Sequence, residues 1–258
     1  MNSGRLTVRR LEFVMTLWNE LSRATTVAGD TILLRRRNDI FEIRFNGLEL
    51  MSNFYHQSEG SLATRTLWRY GNRPAHVLIG GLGMGFTLRA ALDLLDSTSS
   101  VTVSELIPEI AEWNRGPLGP LAGHPLQDSR VDLRIVDAME VLTDHPCTFD
   151  VILMDTDNGP DFTVRQVNDR LYGQQGLSAV HRALRPGGIA AFWSATISEP
   201  FERNLDVHFW DWHREDIQLI GGRADAFHHI YFASARTDNL ANAGKEQARQ
   251  TSMRAIYA

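Results

Sequence analysis

A glycine-rich turn between two apolar segments is the first feature of this sequence that could bind a ligand. Residues 76–95, HVLIGGLGMGFTLRAALDLL, combine a short apolar run, the turn and a segment whose apolar residues recur every three to four. Gly81, Gly83 and Gly85 can adopt backbone angles closed to other residues, which lets the main chain approach a ligand closely. The helix that follows presents unpaired N–H donors, so we expect an anionic or polar ligand here. The G-x-G-x-G spacing alone is also compatible with a turn that binds nothing.

Acidic residues follow the next two strand-like runs. The run 101–103 leads into Glu105, whose carboxylate could accept hydrogen bonds from both hydroxyls of a ribose. The run 131–136 leads into Asp137 and Ala138, where a carboxylate could accept from the exocyclic amine of adenine or simply cap the next helix. The glycine turn and these carboxylates together predict a site for a nucleoside cofactor.

A cluster of aspartates follows a fourth run, residues 149–154. Asp155, Asp157 and Asp161 lie within seven residues of one another around a Gly-Pro pair. Turn formation is one explanation for them. Carboxylates this close repel one another, however, and a cationic ligand such as a sulfonium or an amine would relieve the repulsion.

The elements that must position these residues alternate along the chain. Strand-like runs separated by helical segments predict a parallel, doubly wound sheet, and they occur at 77–80, 101–105, 131–135, 150–154 and 189–193. Ligands of such sheets bind beyond the carboxyl ends of the strands, so the polar residues above converge on one crevice. Two later runs, 207–212 and 230–233, predict an antiparallel pair that closes the sheet.

The N-terminal part has a different pattern. Apolar residues at helical spacing predict an amphipathic helix over 8–23. The segment 30–52 predicts an antiparallel cap of two or three strands. We therefore expect an N-terminal helix and β-hairpin cap over 1–57, a cofactor-binding domain over 58–236 and a polar tail over 237–258.

Composition limits the class of protein. The chain has 258 residues, 43% hydrophobic and 22% charged, as in ordinary globular proteins. Its net charge of −5 argues against a nucleic-acid partner, and no run approaches a membrane span. The single cysteine, Cys147, excludes an intramolecular disulfide and predicts a cytoplasmic setting. The apolar N-terminal helix and the cap strands favour a homodimer.

Residues 46–235 resemble the spermidine synthase family, the polyamine aminopropyltransferases within the class I S-adenosylmethionine-dependent transferases. The resemblance implies a doubly wound, Rossmann-like, mostly parallel seven-stranded α/β sheet that ends in antiparallel strands. Six stretches carry it in collinear order: NGLELMSNFYHQSEGSLA, VLIGGLGMGFTLRAAL, VTVSELIPEI, RVDLRIVDAMEVL, FDVILMDTDNGP and LYGQQGLSAVHRALRPGGIAAFWSA.

The resemblance also implies roles for the residues already singled out. The implied assignments are the cofactor tail for Gly81, Gly83 and Gly85, the ribose for Glu105, the adenine for Asp137 and Ala138, and the amine end for Asp155 and Asp157.

This sequence departs from the family inside the glycine turn. The family carries an aspartate there that disfavours the carboxylate of intact S-adenosylmethionine, and the matching place falls on Gly83 or Met84. Without that aspartate, a cofactor that keeps its carboxylate is not repelled. We therefore expect a transferase that uses S-adenosylmethionine, most simply a methyltransferase on a small-molecule acceptor, with aminocarboxypropyl transfer or internal cyclisation also open.

Two alternatives remain. One is aminopropyl transfer from decarboxylated S-adenosylmethionine to a polyamine, and the other is a homologue that binds a nucleoside without catalysis. In either transferase, Asp157 is the expected base or amine anchor and Asp155 holds the cofactor amine or assists.

Three further residues are candidates for the acceptor side of the site. Glu59, Tyr172 and Trp193 could face the acceptor, with packing roles as the alternative. No metal site is expected. The adjacent pair His228 and His229 would point to opposite faces of a strand and could not share an ion.

Overall fold

The computed structural model describes residues 17–26, 29–71, 73–156, 158–161, 170–207, 210–219 and 226–235. The described chain begins with a small antiparallel sheet in which each strand pairs with the next one. Its strands are β1 (Asn19–Thr25), β2 (Thr31–Arg37), β3 (Ile40–Phe45) and β4 (Leu48–Ser52).

A seven-stranded sheet forms the rest of the fold, in the order β10-β11-β9-β8-β5-β6-β7. The strands from β5 to β9 pair with one another in parallel, and β11 and β10 add an antiparallel edge next to β9. Their bounds are β5 (His76–Gly80), β6 (Ser100–Ser104), β7 (Val131–Arg134), β8 (Phe149–Met154), β9 (Leu184–Ser194), β10 (Trp210–Gln218) and β11 (Phe227–Ala235).

Helices cover both faces of this sheet. On one face α1 (Gln57–Tyr70), α2 (Phe86–Leu94) and α3 (Pro108–Arg115) share a core with the N-terminal sheet. On the other face lie α4 (Ala138–Asp144), α5 (Gln174–Ala183) and α6 (Glu199–Val207). Short 3₁₀ turns at Gly119–Ala122 and Pro125–Gln127 follow α3.

The central strand β5 shows why the sequence folds this way. Val77 and Ile79 belong to the core on the α1 side, and Leu78 between them belongs to the core on the α5 side. A parallel strand buried on both faces needs such an uninterrupted apolar run. The predicted doubly wound, mostly parallel sheet with antiparallel C-terminal strands is therefore confirmed.

The helix predicted over 8–23 is wrong where the structure describes it. Residues 19–25 form strand β1, paired antiparallel with β2 from Asn19–Arg36 to Thr25–Thr31. The free edge of β2 offers main-chain hydrogen-bond partners, and this tertiary pairing outweighs the local helical spacing. Residues 1–16 and the predicted tail, 237–258, lie outside the described residues.

Two strand boundaries also differ from the prediction. Val207 ends α6, and the strand predicted from there begins at Trp210. The Arg-Pro-Gly-Gly segment after α5 is part of β9, which begins at Leu184 and pairs with β8 through a register shift near Val151. A bulge of this kind absorbs the extra residues of the segment without breaking the strand.

Candidate active site

A pocket lies at the carboxyl ends of β5, β6, β7 and β8. Its empty volume, mouth included, is about 820 Å³, within the range of cofactor and small-molecule sites. Leu50 and Met51 of β4 close one side of it. The remaining wall includes Glu59, Gly81, Gly83, Glu105, Asp137, Ala138, Asp155, Thr156 and Trp193.

The glycine turn needs its glycines for backbone conformation and for close packing. Gly81, Gly83 and Gly85 have φ angles of +91°, +53° and +82°, which residues with a side chain rarely adopt. The Gly81 N–H donates to the Ser104 carbonyl at 2.8 Å. A Cβ on Gly81 would lie well inside van der Waals contact with the Asp155 carbonyl oxygen. The turn after β5 is therefore packed directly onto the segment after β8.

Glu105 is buried and held by main-chain donors. The Leu82 N–H donates to one carboxylate oxygen at 3.0 Å and the Ile107 N–H to the other at 2.8 Å. Burial raises the pKa of Glu105 above its usual range, and the N–H donors act in the opposite direction. The N–H groups of Leu106 and Gly83 are also directed at this carboxylate, and its contact with ribose hydroxyls stays a prediction.

Asp137 caps helix α4. Its Oδ1 accepts from the Met139 N–H at 2.8 Å, and its Oδ2 accepts from Arg170 Nη2 at 2.6 Å. The helix-capping role that the sequence left open is therefore present in the structure. Asp137 and Ala138 also line the pocket, and their contact with an adenine stays a prediction.

Asp155 and Glu59 form a pair of desolvated carboxyls in the pocket wall. Burial raises the pKa of Asp155 to about 6, opposed by the Thr87 hydroxyl, which donates to its Oδ2 at 2.6 Å. Burial and, after it, the negative charge of Asp155 together raise the pKa of Glu59 to about 7. Two carboxylates that repel each other in a low-dielectric wall create a site that favours a cation.

Glu59 has a partner that the sequence did not reveal. The Ser58 hydroxyl donates to Glu59 Oε2 at 2.7 Å and lies 2.8 Å from His228 Nδ1. The neighbouring His229 points the other way, with Nδ1 2.8 Å from Asp216. No local pattern could have found His228, because 170 residues separate it from Ser58.

The two aromatic candidates occupy different positions. Trp193 lines the pocket with 7% of its surface exposed, and its indole N–H has no hydrogen-bond partner among the described residues. Tyr172 is buried, and its hydroxyl donates to the Thr156 carbonyl at 2.9 Å. Tyr172 therefore reaches the site through the segment that carries Asp155.

The structure describes two of the three aspartates of the predicted cluster. Asp157, the expected base, lies outside the described residues. Asp161 is exposed and accepts from the Ser198 hydroxyl at 2.5 Å. Of the two described members, Asp155 alone lines the pocket.

The space beside Gly83 is filled by a side chain from the N-terminal sheet. A Cβ on Gly83 would lie 2.7 Å from Met51 Sδ, so the place where the family's aspartate would extend is taken by this thioether. Met84, the other matching position, is fully buried in the core. An apolar group therefore occupies the space beside Gly83.

Two negative findings apply to the part of the chain that the structure describes. No group of three or more His, Cys, Asp and Glu side chains is arranged there to hold a metal ion. Among the same residues, no helix has both the length and the apolar character needed to cross a membrane.

Several solved structures share this fold. A spermidine synthase in complex with the transition-state analogue AdoDATO matches with a TM-score of 0.68 and 19% identity, over 83% of this chain and 72% of the other. The spermidine synthase from Thermotoga maritima matches with a TM-score of 0.69 and 17% identity, again over 83% of this chain and 72% of the other. A probable spermidine synthase from Corynebacterium glutamicum ATCC 13032 matches with a TM-score of 0.58 and 17% identity, over 84% of this chain and 79% of the other. At these identities, the likeness shows the fold alone.

A curated relative is similar in sequence. Polyamine aminopropyltransferase 2 of Pseudomonas aeruginosa strain PAO1 is 28% identical over 180 residues, which are 68% of this chain and 46% of that protein. The chain thus spans about half the length of the curated relative it matches.

The preference for a methyltransferase is wrong. That expectation gave the missing aspartate at Gly83 more weight than the wider resemblance, and the sequence comparisons point to polyamine aminopropyltransferases instead.

The family itself is shown by a sequence model. The model described as spermine/spermidine synthase domain matches residues 61–206, which is more than half of the chain. This match runs from α1 to α6 and includes every described acidic residue of the pocket wall except Glu59. The chain therefore belongs to the spermine/spermidine synthase family.

Proposed function

We propose that this protein transfers the aminopropyl group of decarboxylated S-adenosylmethionine to a small amine acceptor. Family membership and the name of the curated relative support this reaction class. The donor carries a sulfonium and an ammonium and has no carboxylate, so its charge is entirely positive.

The charge of the pocket wall is the observation that carries this proposal. Its acidic residues are Glu59, Glu105, Asp137 and Asp155, and its described lining contains no Lys, Arg or His. Asp137 is paired with Arg170 outside the lining, so the field comes from the other three. The negative field of these carboxylates favours the binding of both a doubly cationic donor and an amine acceptor. The carboxylate of intact S-adenosylmethionine would find no cationic partner and would be repelled by the Asp155 and Glu59 pair.

The reaction needs little covalent chemistry from the protein. The acceptor nitrogen attacks the propyl carbon bonded to sulfur, the new N–C bond forms as the C–S bond breaks, and the electron pair stays on sulfur as a neutral thioether. An acceptor that arrives as an ammonium must first lose a proton. The pocket aligns donor and acceptor, and a carboxylate at Asp155 takes or steers that proton. Asp157 keeps its proposed role as a second amine anchor.

The test is to incubate the purified chain with either form of the donor and a panel of linear diamines, and to identify products by mass spectrometry. We expect each acceptor to gain one aminopropyl group and the donor to become its thioether. Intact S-adenosylmethionine should give no product.

The Asp155→Asn variant, loaded with the same donor, is the matched negative control. Tight binding of the decarboxylated donor without turnover of any amine would contradict the proposal and favour a nucleoside-binding homologue. Methylated acceptors would contradict it as well.

A further inference from the structure

A continuous hydrogen-bonded chain of three side chains joins the pocket to strand β11. Ser58, at the start of α1, is fully buried, and its single hydroxyl lies 2.7 Å from Glu59 Oε2 and 2.8 Å from His228 Nδ1. The His228 ring also packs edge-on against Trp193, with ring centroids 4.7 Å apart. His228 thus contacts the pocket wall through two different residues.

The single proton of the Ser58 hydroxyl determines the direction of the hydrogen bonds in this chain. A hydroxyl can donate only once, and when Glu59 is ionised the Ser58 proton points to its carboxylate. The Ser58 oxygen must then accept from His228, which requires the Nδ1–H form of the ring. Burial lowers the pKa of His228 to about 4, so the ring is neutral at pH 7 and has a single N–H. The hydrogen-bond count assigns that N–H to Nδ1 while Glu59 is ionised.

We propose that Ser58 and His228 are positioning residues that hold the Glu59 carboxylate ionised and directed at the acceptor amine. This inference rests on the proposed function, because it gives Glu59 the acceptor nitrogen as its partner. The Ser58 hydroxyl occupies Oε2, and Glu59 also lines the pocket, where the acceptor amine would be its partner.

The groups around Glu59 make this support necessary. Asp155 faces Glu59 from the segment after β8, and its charge opposes ionisation of Glu59, as does burial. The Ser58 hydroxyl acts in the opposite direction. On β11, His228 faces this site, whereas His229 is turned to Asp216 on β10. Loss of the hydroxyl would leave only a main-chain hydrogen bond to oppose burial and repulsion, and Glu59 would bind a proton at higher pH.

The experiment compares Ser58→Ala, His228→Ala and His228→Asn with the wild-type chain. An asparagine amide can place its N–H where His228 has Nδ1–H, so it should retain the hydrogen bond to the Ser58 hydroxyl. The matched control is His229→Asn, on the same strand but with its side chain on the opposite face.

The readouts are the pH profile of kcat/KM for the acceptor and the titration of Glu59 followed by ¹³C NMR of the carboxyl carbon. We expect Ser58→Ala and His228→Ala to move the acid limb and the Glu59 titration upward by roughly one pH unit. His228→Asn and His229→Asn should leave both near the wild-type position.

A purely structural role predicts a different result. Equal loss of kcat/KM at every pH in all four variants, with an unmoved Glu59 titration, would overturn the inference. The NMR titration needs no turnover, so it tests whether Ser58 and His228 hold Glu59 ionised even if the wild-type chain transfers no aminopropyl group and the proposed function fails.

Discussion

The Cα hydrogen of Gly81 points at the main-chain carbonyl of Asp155, and no side chain fits between the two segments. We expect Gly81→Ala to displace the Asp155 segment, because the added methyl group would overlap that carbonyl oxygen. The φ angle of +91° adds strain, which together with the overlap should cost about 1–3 kcal/mol of folding free energy. Urea denaturation and kcat/KM should both detect the change.

Gly47→Ala is the control for this substitution. Gly47 has a similar φ angle of +82°, but a Cβ there would meet nothing within 4 Å. It therefore reports strain without overlap. If Gly81→Ala lost no more activity than Gly47→Ala, the packing of the two segments would not matter for the site.

Asp155→Asn should remove most of the transfer activity. The variant keeps the shape of the side chain and its contact with Thr87, but it loses the charge that accepts a proton or holds an amine. General acid–base groups contribute typically about 10²- to 10⁴-fold, and we expect kcat to fall within that range. Asp161→Asn is the control, since Asp161 is exposed and bonds to Ser198. A fall of less than about tenfold in Asp155→Asn would exclude the assigned role.

The pH dependence of activity should show the carboxyl pair. The raised pKa values of Asp155, about 6, and Glu59, about 7, place the loss of activity on acidification in that range, because the ionised forms bind the cationic ligands. The two groups titrate as a pair. In Glu59→Gln the fall in activity near pH 7 should vanish, and the pH profile should show a single acid limb near pH 6. A wild-type profile that stays flat down to pH 5 would show that neither group must be ionised.

The folding stability should change with pH in the opposite direction from the activity. The pKa of both carboxyls is raised in the folded chain, so their protonated forms stabilise the fold at low pH. This contribution is lost as the pH rises through about 6 and 7. Glu59→Gln removes one buried charge and should raise the Tm at pH 8 while changing it little at pH 4.5. Calorimetry at the two pH values measures this, and an equal change at both would contradict it.

Local patterns predicted the parts of the site that come from the sheet. Val77, Leu78 and Ile79 indicated a strand buried on both faces, and the topology of such a sheet placed Glu105 and Asp155 at one edge. These predictions succeeded because each needed only a short segment and a general rule of chain connection.

The sequence could not predict contacts between distant segments. Met51 on Gly83 and His228 on Ser58 depend on how the N-terminal sheet and β11 meet the core, and no spacing in the chain encodes either distance. The same limit explains the wrong preference for a methyltransferase. The change at Gly83 was visible locally, but the opposing charge of Glu59 enters the pocket from α1.

Donor selectivity should respond to a positive charge at Met51. This residue lines the pocket and fills the space at Gly83, and the described pocket lining contains no basic side chain. Met51→Lys would supply a partner for a cofactor carboxylate and would repel the ammonium of the decarboxylated donor. We expect the ratio of the Kd values for the two donors to shift toward intact S-adenosylmethionine by about tenfold, or ~1.4 kcal/mol. Isothermal titration with each donor measures the shift. Met51→Gln, of similar length and neutral, controls for lost packing, and an equal shift in that variant would show that space rather than charge sets the preference.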